Sequence, residues 1–265
     1  MEIEILIQST SKVIFIIAIL YQYRYNRLHR SIYGLSYDMY ILSLINCFLS
    51  IWCTLNYKFS PLIRQQLGNR YPLFYSIDDN SDIPISLALL ILDITTLFIS
   101  LFVLRQLIMY RSSKHVHQGI SKFCISVILL FAIFNVFTYT CACYNLPISS
   151  GRFGVFYLEH INYMWVEGNL LGSFILLPQI SLNWMGQSTT GLSSKFVVLS
   201  FISILTNLLG SNLAPQNLLF YERAFNFKPN FVQIIQFLSI IIILSQAQYF
   251  YRGLKPHLPK GKSFL

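Results

Sequence analysis

Charge is what this sequence has least of. Asp, Glu, Lys and Arg together make up 11% of its 265 residues, against roughly a quarter in ordinary soluble domains. Acidic residues are scarcer than basic ones, 10 against 19, for a net charge of +9. Also lacking are a glycine-rich phosphate loop, a nucleophile elbow and a helical pair of histidines, so an enzyme is not expected. Cys47, Cys53, Cys124, Cys141 and Cys143 lie in or at the ends of apolar runs, and none stands at zinc-ligand spacing from His or another Cys. Free buried thiols, no metal and no cofactor are therefore expected; Cys141 and Cys143 could hold a soft metal, but packing accounts for them more simply.

What the sequence has in abundance is apolar length. Hydrophobic residues make up 55% of it, with 22 Phe, 17 Tyr and 3 Trp, and the mean hydropathy is +0.56. A helix needs roughly 20 apolar residues to cross hydrocarbon. Seven such runs are predicted, at about 5–26, 35–57, 83–104, 120–144, 158–184, 192–213 and 231–252. The fifth is weakest, because it contains Glu159, Glu167 and several glycines. Membrane lipids are the implied surroundings. The basic residues fall in gaps between the runs and form no stripe on a polar domain, so nucleic acid is not an expected partner.

Basic loops stay on the cytosolic side. With the N-terminus outside, in a lumen, Arg24, Arg27, Arg30, Arg105, Arg111, Lys114, Lys122, Lys195, Arg252, Lys255, Lys260 and Lys262 become cytosolic, while Asp78, Asp79, Asp82 and Glu222 lie in outer loops. The C-terminal tail is then cytosolic. Seven spans of this sense leave the first three and last three parallel, and the sequence carries a matching duplication. Tyr21, Gln22, Asn26, Ser31, Gly34, Leu35 and Ser36 recur as Pro178, Gln179, Asn183, Ser188, Gly191, Leu192 and Ser193, at one offset of 157 (179 − 22). The predicted fold is an all-α membrane protein of 3+1+3 helices. Residues 1–110 form a first bundle with a degenerate motif, 111–150 a linker helix, and 151–265 a second bundle with the full motif and the tail.

The stretch Leu177-Pro178-Gln179-Ile180-Ser181-Leu182-Asn183, with Ser188 and Gly191-Leu192-Ser193 after it, resembles the signature of the PQ-loop repeat family of membrane transporters. Gly34-Leu35-Ser36-Tyr37-Asp38 and Pro61-Leu62-Ile63-Arg64-Gln65-Gln66, running on to Arg70-Tyr71-Pro72, are most similar to the cystinosin group. The resemblance implies an organellar transporter of a small polar solute, an amino acid or cystine-like compound, working by alternating access linked to protons. It also implies a vacuolar or lysosomal membrane, with the ER or Golgi as the alternative. The rival is a protein that keeps the architecture without moving a soluble substrate: a receptor, a trafficking factor or a lipid scramblase.

Pro178 removes an amide donor and crowds the carbonyl of Phe174, so a hinge is expected there. Gln179 and Asn183, one turn apart, and their counterparts Gln22 and Asn26 are read as substrate-binding or gating residues. A cavity lining is favoured for them over a purely helix-to-helix role. Three carboxylates in apolar runs, Asp38, Asp93 and Glu167, are candidates for proton coupling, since buried charge is neutralised, paired or wetted. Resemblance gives Asp38 a place in proton coupling or gating; its other reading is a helix-start carboxylate favoured by the dipole. For Asp93 and Glu167 the rival is a structural hydrogen bond. Two departures from the family pattern stand out: Tyr21 replaces the first proline, and Ser200 occupies the place of a proton-coupling Asp. Lys195 is expected to snorkel to the interface, while His115 and His117 lie in a basic loop and could titrate near neutral pH.

Overall fold

The computed structural model describes residues 2–72, 74–75, 83–144, 151–213 and 224–254, and the regular structure among them is helical. The α-helices are α1 (Glu2–His29), α2 (Tyr37–Phe59), α3 (Pro61–Arg70), α4 (Leu87–Met109), α5 (Lys122–Cys143), α6 (Tyr157–Phe174), α7 (Leu177–Gly186), α8 (Ser194–Leu213) and α9 (Asn230–Ser245). A π-helical turn, Gln246–Phe250, extends α9. The outer-loop acids Asp78, Asp79, Asp82 and Glu222, and Lys255, Lys260 and Lys262 of the tail, lie outside the described residues.

Serine side chains start four of these helices. Ser36, Ser60, Ser86 and Ser121 accept from the backbone N–H groups of Met39, Ile63, Leu89 and Cys124, relieving amides that the first turn leaves unpaired.

Among the described residues six helices are long and apolar enough to cross a membrane: Ile3–His29, Tyr37–Phe59, Leu87–Met109, Lys122–Cys143, Ser194–Ser211 and Asn230–Phe250. The expected fifth run is not among them. It divides at Ile175 and Leu176 into α6 and α7, and Pro178, which has no N–H to close a turn, sits at the start of α7. At the matching place in the first repeat Tyr21 keeps its amide, and α1 runs unbroken for 28 residues.

Helix α4 packs on both α1 and α2, and α9 packs on α6, α7 and α8. The two groups meet along two seams, α1 against α8 and α2 against α6, while α5 leans on α6. Phe123, Leu129, Leu130, Ile133, Val136 and Phe137 of α5 are exposed, an apolar face whose solvent is lipid.

Small residues let the seams close. A Cβ at Gly172 would lie 3.0 Å from Asn46 Oδ1, and one at Gly168 would lie 3.3 Å from Leu49 Cβ. At the other seam the Ser11 hydroxyl donates to the Ser203 carbonyl and the Ser203 hydroxyl to the Ser11 carbonyl, each at 2.8 Å. Gly168 and Ser11 occupy the same position of the two repeats. The α2–α6 seam is thus held by contact alone at this level, and the α1–α8 seam by reciprocal hydrogen bonds.

Gly168→Ile is expected to wedge α6 off Leu49 and destabilise the protein by about 1–3 kcal/mol, the usual cost of overpacking. Thermal unfolding of the purified protein measures this. Gly119→Ala, which meets nothing within 4 Å, is the control expected to leave the midpoint unchanged.

Candidate functional site

Polar side chains inside the fold gather in two places. The first is built from the repeated motif. The Gln22 amide donates to Asn26 Oδ1 (2.8 Å) and to the Gly191 carbonyl (2.9 Å), and its oxygen accepts from the Ser193 backbone N–H (2.8 Å). Gln179 does the same in the other direction, donating to Asn183 Oδ1 (2.8 Å) and the Gly34 carbonyl (2.8 Å) and accepting from the Ser36 N–H (2.8 Å). Each glutamine therefore holds the loop of the opposite repeat.

The pattern continues outward with the same correspondence. Asn26 donates to Gln106 Oε1 (3.1 Å), whose amide donates to the Tyr23 carbonyl (3.0 Å). Asn183 donates to Gln246 Oε1 (2.9 Å), whose amide donates to the Ile180 carbonyl (3.1 Å). Gln22, Asn26 and Gln179 are fully buried and Asn183 is 1% exposed, so in hydrocarbon these bonds have no water to replace them. The two loops touch at Gly34 and Gly191, where a Cβ on Gly191 would lie 2.3 Å from the Gly34 carbonyl carbon. Gly34 has φ +77°, a left-handed conformation that suits glycine. Gln118 braces the first loop further, donating to the carbonyls of Ile32 (2.6 Å) and Leu35 (2.7 Å) and accepting from the Gly34 N–H (3.0 Å).

The second place is a cavity of about 110 Å³ between the two helix groups. Gln22, Asn26, Gln179 and Asn183 do not line it. Its polar wall comes instead from Ser43, Asn46 and Ser50 of α2 and Ser200, Ser203 and Asn207 of α8. These two sets again stand at the offset of 157 residues. Lys12 and Asn169 form another such pair, and Asp93, Gln236 and Lys228 add to the polar lining together with Gln8, Ser11, Thr54, Thr96 and Asn226. Lys12 Nζ lies 2.6 Å from Asp93 Oδ1, and the Ser50 hydroxyl donates to Asp93 Oδ2 at 3.3 Å. A wider vestibule of about 690 Å³, at the end remote from the paired glutamines, shares Gln8, Trp165, Phe225, Phe227 and Lys228 with the cavity.

The structure separates the three candidate carboxylates. Asp93 lines the cavity. Asp38 is buried at the start of α2 and accepts from the backbone N–H of Ser121, the N-cap of α5, at 3.0 Å. Glu167 turns away from the cavity toward α5, where the Asn135 amide donates to it and its second oxygen finds no partner among the described residues. The Lys195 ammonium lies 4.9 Å from the centre of the Tyr21 ring. His115 is buried in the α4–α5 loop, and that burial, with His117 beside it, pushes its imidazole below the ordinary range.

Lys12, Asn46, Ser50, Asn169, Ser203, Asn207, Lys228 and Gln236 do not stand out in the sequence as site residues. One signal could have found most of them: the offset that relates the motifs, carried on along the helices, pairs polar residue with polar residue. Nothing in the sequence marks Lys228, which comes from the segment before α9.

Two comparisons bear on this arrangement. Residues 161–220 match the model of the PQ loop repeat. Over 259 residues the chain is 52% identical to the uncharacterized protein YCL002C of Saccharomyces cerevisiae, covering 97% of this chain and 98% of that one.

Gln179→Leu leaves the Ser36 N–H, the Gly34 carbonyl and Asn183 each short of a bond, at a cost of about 1–3 kcal/mol per stranded group. Differential scanning fluorimetry should record a large fall in thermal midpoint, with Gln22→Leu behaving alike. For His115 the unfolded chain takes up its proton first as pH falls through about 6.5. Stability is therefore lost from there downward until the folded imidazole also protonates. His115→Gln is expected to flatten that part of the stability–pH curve.

Proposed function

The chain belongs to the PQ-loop repeat family, and from that premise we propose that it transports a small polar solute by alternating access. It is an integral multi-pass membrane protein. In this reading α1, α2 and α4 form one bundle and α6 to α9 the other, with α6 and α7 together as the fifth of seven spans and α5 as the linker. The observation that carries the proposal is the polar cavity whose lining comes from matched positions of two repeats. Such a site between pseudo-symmetric halves is what rocking one half against the other would expose to each side in turn.

The paired glutamines act as the gate at the basic, cytosolic end. With their bonds made, the two loops are locked together at Gly34 and Gly191 and the cavity is shut on that side; opening it requires those bonds to be exchanged. Pro178 supplies the joint. The break at Ile175 and Leu176, which line the cavity on the side of the gate, lets α7 move relative to α6. Asp93 is the proton-exchanging group of the cavity, because it alone of the three candidate carboxylates meets the solute path. Asp38 holds the start of α5 to α2, and Glu167 joins α6 to α5. The membrane is that of an acidic organelle, vacuole or lysosome, with the N-terminus in the lumen.

Metabolite profiling of isolated organelles with and without the protein should identify a small solute that accumulates in its absence. Uptake of that solute into proteoliposomes should rise with a proton gradient, and Asp93→Asn should remove at least tenfold of the stimulation. Lipid exchange between leaflets without solute flux would replace this reading with the non-transporting one.

A further inference from the structure

We propose that the cavity selects a singly charged organic anion, a small carboxylate with a neighbouring hydroxyl, over zwitterions and neutral solutes of the same size. This deepens the transport reading and rests on it.

The first ground is a charge count. Lys12, Lys228 and Asp93 are the Lys, Arg, Asp and Glu side chains that line the cavity among the described residues. Asp93 is committed to Lys12 at 2.6 Å. The Lys228 ammonium makes no ion pair or hydrogen bond among the described residues. Burial pushes the Lys228 ammonium below the usual lysine range; with all three groups ionised, the state in which Asp93 has released its proton, the lining carries one uncompensated positive charge that a bound anion stabilises. In a poorly screened interior that charge attracts a counter-charge much more strongly than it would in water. A monoanion neutralises it; a zwitterion brings a second cation into the same space and leaves the excess in place.

The second ground is independent of charge. Ser200 Oγ and Asn207 Oδ1 are buried, line the cavity, and have no hydrogen-bond partner among the described residues. Ser200 is 1% exposed and Asn207 7%. A buried polar atom left unpaired costs about 1–3 kcal/mol, and here each is aimed where a solute would sit. The serine hydroxyl can donate to a carboxylate oxygen. The amide oxygen accepts only, so the solute must itself present a donor. A hydroxyl beside the carboxylate meets this requirement without adding positive charge.

Lys228 is well placed to receive the anion. It lines the vestibule as well as the cavity, so it stands where the two meet. Its segment is fixed at several points. The Phe225 N–H donates to the Pro84 carbonyl (3.0 Å), and Asn226 pairs with the backbone of Ser86 through both its amide oxygen (3.2 Å) and nitrogen (2.8 Å). The Lys228 carbonyl accepts from Gln233 (2.9 Å). These bonds fix the backbone from which the Lys228 side chain extends, so the segment itself needs little reordering for the ammonium to meet an anion.

The test uses three probes of nearly one shape: L-lactate, L-alanine and lactamide, an anion, a zwitterion and a neutral amide. With the purified full-length protein, lactate is expected to raise the thermal midpoint at concentrations at least tenfold below those needed for alanine or lactamide. Lys228→Gln should remove that preference and Lys228→Arg should keep it. Equal protection by alanine or lactamide, no protection by lactate, or an unchanged preference in Lys228→Gln would overturn the proposal. Parallel flux measurements in proteoliposomes keep the two readings apart. Lactate binding without flux of any solute leaves the anion site standing and removes transport, whereas solute flux with no preference for the anion does the reverse.

Discussion

Within hydrocarbon, a side-chain amide that lacks a partner has nowhere to find one, and the architecture of this protein follows from how two such amides are satisfied. Gln22 and Gln179 each spend both amide hydrogens and accept one bond at the oxygen, on one residue of their own helix and on the loop of the opposite repeat. That reciprocity fixes where α2 and α8 begin, because Ser36 and Ser193 donate into it just before those helices start. It also brings Gly34 and Gly191 so close that neither loop can shift alone. The cavity then has to lie farther along the helices, where the lining is still polar but the bonds are incomplete.

Against this symmetric frame the departures from symmetry gain meaning. Pro178 interrupts the second repeat where Tyr21 leaves the first continuous, so one half contains a joint and the other a rigid rod. The seams differ in the same sense: Ser11 and Ser203 bind α1 to α8 through two reciprocal hydrogen bonds, while Gly168 and Gly172 let α6 approach α2 through close contact. The directed bonds of the α2–α6 seam lie toward its other end, where the Tyr57 hydroxyl donates to Asn162 and the Tyr157 hydroxyl to Asn56. Charge is also lopsided, since Lys12 and Asp93 both come from the first half. A duplicated scaffold with one jointed half, and with its cavity ion pair in the other half facing Lys228 from the jointed one, has the ingredients of a device with two states.

Much of the fold was legible in the residues. Six of the seven predicted runs are helices of membrane-crossing length and composition, and the run named as weakest is the one that divides, near the proline expected to bend it. The site was legible in its parts and not in its layout. Polar amides in apolar runs announce that they have partners, but Gln179 could face a cavity or a neighbouring loop with the same sequence around it. Asp38, Asp93 and Glu167 are equally conspicuous carboxylates in apolar surroundings, yet they face α5, the cavity and α5 again, because helix rotation decides which neighbour each one meets.

By itself, the amino-acid sequence determined that this chain lives in a membrane, that its two ends are copies of one pattern, and which groups are too polar to face lipid. These are consequences of transfer free energy and periodicity, both local properties of the chain. Which polar group meets which was decided only in three dimensions. The crossing of each glutamine to the other repeat joins residues 143 to 171 positions apart, and the cavity charge depends on Lys228 entering from a segment outside the spans. A hydrogen bond or a charge balance depends on distance in space, and the packing of the helices, rather than the spacing along the chain, sets that distance.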